Sequence, residues 1–134
     1  MSVQRNRFGQ TSKKGILVTS TSEGVGYGTG AGGTVTQLTD KSTGVTLSKM
    51  CGDITLNNAQ LNAATIVSFT LTNTGIAATD ILVMNHISGG TVGSYTFTAA
   101  CAAGSAVIYV RNATAGNLSE AIVIRFAVVK AVNS

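Results

Sequence analysis

The chain has 134 residues, the size of one ordinary domain, and is long enough to bury a core without a metal or disulfide scaffold. Hydrophobic residues make up 44% and charged residues only 10%, against a usual charged share of about 25%, which excludes a disordered chain. A lone compact monomer covers itself with charge, so this composition predicts a surface that largely faces protein, as in a homo-oligomer.

The net charge of +4 is unevenly placed. Arg5, Arg7, Lys13 and Lys14 lie in the first fourteen residues with no acid among them. The other 120 residues hold five charges of each sign, so the body is neutral. A basic arm of this kind suits an acidic protein surface or nucleic acid, or else simply aids solubility. The start, MSVQRNRFGQTSKKG, lacks the apolar centre of a signal peptide, and no run of 18 apolar residues occurs. The expectation is a protein made in the cytoplasm, with no membrane partner. Cys51 and Cys101 are then expected as free, half-buried thiols.

In chain order, residues 1–15 read as the basic arm and ILVTS at 16–20 as a short strand. Residues 24–33, GVGYGTGAGG, hold six glycines and read as a hinge. Arm and hinge form one unit, 1–33, and the body is 34–134. Val35, Val45, Leu47, Ile54 and Leu56 alternate with polar residues. Val67, Phe69 and Leu71 face one way along TIVSFTLTN, with Ser68, Thr70 and Thr72 opposite, the mark of a half-buried strand. YTFTAAC (95–101) repeats the pattern. ILVMNH (81–86), AVIYVR (106–111) and AIVIRFAVV (121–129) are apolar on both faces, as strands are between layers or at a subunit contact.

Turn chemistry marks the connectors Asp40–Thr43, Asn57–Ala64, Asn73–Thr79, Ser88–Ser94, Ala102–Ser105 and Asn112–Ser119. NNAQLNAAT (57–65) is compatible with one helical turn; otherwise no helical stripe appears. The predicted fold is all-β, a single sandwich- or jelly-roll-like domain with an extended N-terminal arm.

Residues for catalysis are scarce. His86 is the single histidine, and Asp80, six residues along the same strand, would stand about 20 Å away. The five acids are scattered, no C-x-x-C or Cys/His cluster occurs, and no metal or cofactor is expected. Gly28 to Gly33 fits G-x-G-x-x-G formally, but the strand-like TVTQL follows where a phosphate-binding helix would have to start. Asn112-Ala-Thr114 and Asn117-Leu-Ser119 read as chance glycosylation sequons. Stacking on nucleic acid needs aromatics among basic residues, and Phe8 beside Arg5 and Arg7 is the one such neighbour in the arm, so no nucleic-acid partner is expected. Tyr95, Phe97 and Tyr109 read as core, or alternatively as a sugar-stacking set.

The stretch GYGTGAGGTVTQLTDKSTGVTLSK (26–49), continued by VSFTLTN, ILVMNHISGGTVGSY and IYVRNATAGNLSEAIVIRFAVVKA, resembles a family of small phage virion proteins. The resemblance spans 26–131 and implies a structural, non-enzymatic protein. It points to a trimeric capsid decoration (cement) protein on the outside of the virion, whose partner is the major capsid protein. A tail-fibre or tail-tip module that binds receptor or glycan is the alternative. In the first reading, Arg5, Arg7, Phe8, Lys13 and Lys14 are the candidate capsid contacts.

Overall fold

The computed structural model describes residues 21–22 and 24–134. The basic arm, the 16–20 segment and all five candidate capsid contacts lie outside the described residues.

The described chain is all-β, with eight strands and no helix. They are β1 (Thr34–Thr36), β2 (Val45–Thr46), β3 (Cys51–Thr55), β4 (Ile66–Thr72), β5 (Ile81–Ser88), β6 (Tyr95–Ala102), β7 (Ser105–Asn112) and β8 (Val123–Val129). They form two four-stranded sheets, ordered β1-β3-β8-β5 and β2-β4-β7-β6. β1 runs parallel to β3 and β2 parallel to β4, while the other four ladders are antiparallel. A parallel neighbour requires a crossover, and here the crossing segment is itself a strand of the opposite sheet. β2 carries the chain from β1 to β3, and β3 carries it from β2 to β4. These mixed sheets differ from a jelly roll, in which every neighbour is antiparallel.

The alternation read from the sequence sorts the faces. In β4, Phe69 and Leu71 are buried and Ser68, Thr70 and Thr72 exposed. In β8, Ile124, Phe126 and Val128 point inward at zero exposure. They meet Ile108 and Val110 of β7 and Phe69 and Leu71 of β4 in one buried cluster that both sheets line. Burying each such side chain contributes about 1.5–3 kcal/mol, so this shared core holds the two sheets together.

Two close approaches fix β1 against β3. The amide of Asp53 donates to the Gly33 carbonyl at 2.9 Å. A Cβ on Gly52 would stand 2.6 Å from that same oxygen and 2.8 Å from Leu47 Cδ2. Glycine is required there by space. The glycine-rich lead is also engaged at Tyr27, whose hydroxyl donates to the Val128 carbonyl on β8.

The segment 57–65 differs from the expected helical turn. It is irregular, and Leu61 forms an isolated antiparallel bridge with Leu118. Its polar groups are already committed elsewhere. Asn57 Oδ1 accepts the Ala59 amide at 2.8 Å, and the Asn112 amide donates to the Leu61 and Asn62 carbonyls. Leu61 is thereby pulled into the core at 5% exposure.

Candidate functional site

Four loops meet at one end of the two sheets: 37–44, 56–65, 89–94 and 113–122. Buried polar side chains hold them there. Gln37 Nε2 donates to the Lys41 and Thr43 carbonyls at 3.0 and 2.9 Å, and its Oε1 accepts the Asn57 amide at 3.0 Å. Lys41, 3% exposed, donates from Nζ to the Glu120 carbonyl at 2.7 Å and to the Asn57 carbonyl. Burial pulls its pKa below the ordinary lysine value, partly offset by the negative charge of Glu120. Asn112, fully buried, donates to the carbonyls of Leu61, Asn62 and Gly116 and accepts from the amide and hydroxyl of Thr114.

Glu120 organises the loop after β5. Its Oε2 accepts the Thr91 amide at 3.0 Å and the Tyr95 hydroxyl at 2.8 Å, and its Oε1 accepts the Thr91 hydroxyl at 2.7 Å. The Thr91 bonds, with a smaller contribution from Tyr95, hold the Glu120 carboxyl below its ordinary value. Gly90 sits at φ +60° and a Cβ there would lie 2.6 Å from Glu120 Oε2, so glycine lets the turn close over the carboxylate.

His86 stands edge-on to Tyr95 and Phe97, with ring centroids 6.0 and 6.5 Å away. Its Nε2 lies 3.0 Å from the Ser88 carbonyl and 2.5 Å from the Gly89 carbonyl. Carbonyls only accept, so Nε2 carries the proton. Nδ1 is buried with no hydrogen-bond partner among the described residues. The ladder with β8 shifts register between His86 and Ser88, and the histidine caps this bulge.

Three donors hold Glu120 as the carboxylate. Burial, with Glu120 beside it, raises the Tyr95 phenol well above its ordinary value, so it stays protonated. The cluster fastens the 89–94 loop to residue 120. Sequence reasoning missed it because Glu120 lies 25 residues from Tyr95, and no local spacing announces the pair.

Other sequence candidates are dispersed. Asp80 does not face His86: its carboxylate accepts the Ala77 amide at 2.8 Å and pairs with Lys130 Nζ at 2.6 Å. That pairing, led by the Lys130 hydrogen bond, lowers its pKa. Tyr95 and Phe97 point into the core side of β6 while Tyr109 is exposed on the opposite face, so the three do not form a stacking set. Asn112 is fully buried, so the first sequon is closed to modification. Cys51 and Cys101 are free and half-buried, Cys51 on the outer face of β3 and Cys101 on the inner face of β6. No group of three His, Cys, Asp or Glu suited to a metal occurs among the described residues. A shallow recess of about 260 Å³ lies at the other end, near Gly30, Ser48, Lys49 and Gly75. Its central amide, Asn73, is committed to the Lys49 carbonyl and the Gly75 amide.

The outer faces of the two sheets differ. On the β2-β4-β7-β6 sheet about half of the outward residues are Thr or Ser, and the rest include Ile66, Val107, Tyr109, Arg111 and two alanines. On the other sheet an apolar band is exposed. Ile81 pairs with Val129, and Val83 with Ala127, which pairs in turn with Cys51. Ile81, Val83 and Val129 are 55%, 49% and 46% exposed. In the next row Asp53 and Arg125 stand directly opposite and form a two-bond ion pair at 2.7 and 2.9 Å.

No protein-family model, curated protein or solved structure matches this chain.

Proposed function

We propose that the chain is a non-enzymatic structural protein of a phage virion, a capsid decoration protein that binds the outside of the shell as a homo-oligomer. The observation that carries this reading is the exposed row Ile81, Val83 and Val129 on a body with few charges. Apolar side chains in adjacent ladder positions favour a protein partner over solvent. The polar groups at the loop end support it as well, because they are spent on pinning loops, as suits a passive fastener.

In this reading the body self-associates, and the basic arm reaches the major capsid protein through Arg5, Arg7, Lys13 and Lys14, with Phe8 as an apolar anchor.

The test is co-sedimentation with purified shells stripped of decoration. The full chain is expected to pellet with the shells, and a variant lacking residues 1–15 to stay in the supernatant with its oligomer intact. If the full chain remains in the supernatant at saturating concentration, the decoration reading is wrong. If the truncated chain still coats shells, the arm is not the contact.

A further inference from the structure

Each sheet ends in one short and one long edge strand. The short ones, β1 and β2, have three and two residues. The long ones, β5 and β6, have eight each and lie on the same side of the molecule. Edge strands carry unpaired backbone donors and acceptors, and proteins guard them with charged side chains, proline, bulges or shortness. Neither ILVMNHIS nor YTFTAACA contains a charged residue or a proline. β6 presents Thr96, Thr98, Ala100 and Ala102 outward. Among the described residues β5 has one guard, the bulge between His86 and Ser88, which leaves Ile81–Asn85 in unbroken register with β8. That unguarded stretch is also where the exposed Ile81 and Val83 stand.

Resting on the reading that the chain self-associates, we propose that two copies join edge to edge through antiparallel pairing of β5, making one continuous eight-stranded sheet. The occupant is a second copy for three reasons. Two identical strands related by a twofold present matching donors and acceptors to each other. The strand has no charge to repel its own image. With Leu82 on the twofold, the pairing also sets Ile81 of one copy beside Val83 of the other, so that these apolar side chains shield each other's flanks. A twofold contact closes at two copies, so the building unit is a dimer and not the trimer that the family resemblance implies.

The experiment is light scattering on the full chain at micromolar concentration, with Ile81→Lys and Val83→Lys beside it. Both side chains point to solvent, so circular dichroism of each variant is expected to match the parent. The parent is expected at twice the chain mass, and each lysine to raise the dimer dissociation constant about tenfold or more by replacing an apolar cross-strand contact with a charge in each copy. Amide exchange at residues 81–85 is expected to be slow in the dimer and to quicken on dilution. A monomeric or trimeric parent, a dimer indifferent to both lysines, or a strand that pairs only with a different protein overturns the inference. A dimer that ignores shells sinks the decoration reading and leaves this one standing; a monomer that coats shells does the reverse.

Discussion

The Tyr95 hydroxyl donates to Glu120 Oε2 at 2.8 Å, joining the first residue of β6 to the loop before β8. The same carboxylate receives both donors of Thr91, so one acidic side chain closes the 89–94 loop. The tie depends on the anion.

That dependence has a pH signature. The folded pKa of Glu120 lies below its ordinary value of 4.5. A carboxyl of this kind adds stability that is present above the unfolded pKa and is lost as pH falls through the lower folded value. Glu120→Gln is therefore expected to melt lower than the parent near neutrality and to approach it below about pH 4.5. Melting temperature followed across the acid range checks this, and a gap that stays constant would place the effect in packing.

Lys41 is the converse case. Its ammonium is buried, and its named partners are two backbone carbonyls with no carboxylate. Replacing it by Met keeps the stem but leaves the Asn57 and Glu120 carbonyls without their donor. A buried polar group left unsatisfied costs about 1–3 kcal/mol, and Lys41→Met is expected to fall in that range by urea unfolding. The folded pKa is depressed, so burial of the charge weighs against folding at neutral pH, and that penalty fades as pH rises from the lowered value towards 10.5. The parent should therefore gain stability relative to Lys41→Met over the alkaline range. Equal slopes for the two proteins would mean that the ammonium is not desolvated.

Much of the strand content is legible in the chain because one face of most strands meets water. Val67, Phe69 and Leu71 announce β4, and Gly104, at φ +78°, marks the tight turn between β6 and β7. The apolar outer residues of β5 and β8 are legible too, as strands with two apolar faces. The strand order is not. The parallel pairing of β1 with β3 and of β2 with β4 depends on which sheet each short strand joins, and two or three residues hold too little pattern to say. The polar clusters are hidden for the same reason. Nothing local to Lys41 in the Asp40–Thr43 connector points to residues 57 and 120, which the fold brings over it. The segment 57–65 reads as compatible with a turn of helix until Asn112, about fifty residues on, takes its carbonyls.

Gly52 tests the close packing of β1 on β3. An added Cβ would meet the Gly33 oxygen at 2.6 Å and Leu47 Cδ2 at 2.8 Å. The first neighbour is backbone and cannot rotate away. Gly52→Ala is expected to cost about 1–3 kcal/mol, the range for overpacking a filled site. Gly28→Ala, where an added Cβ meets nothing within 4 Å, is the control and is expected to leave the unfolding midpoint nearly unchanged. Denaturant titration of the pair decides it, since equal midpoints would mean that β1 yields freely.

Asn112 gives the sharpest contrast, because one atom can be exchanged without changing shape. Its Nδ2 donates to the Gly116 carbonyl at 2.7 Å and to the Leu61 and Asn62 carbonyls at 3.1 and 3.2 Å. In Asn112→Asp that corner becomes an oxygen facing three oxygens. An uncompensated buried charge costs about 3–5 kcal/mol, so the variant is expected to be strongly destabilised at neutral pH. Desolvation and the facing carbonyls raise the folded pKa of such an aspartate, so protonation favours the fold. The penalty should shrink as pH drops towards the ordinary carboxylate range and grow as pH rises. Asn112→Ala removes the same bonds without adding an ionisable group, and its deficit is expected to lack this added pH dependence. Urea unfolding of both variants at several pH values separates the cases. A pH-independent deficit in Asn112→Asp would mean that water reaches the site, and that the two loops it joins are not closed over it.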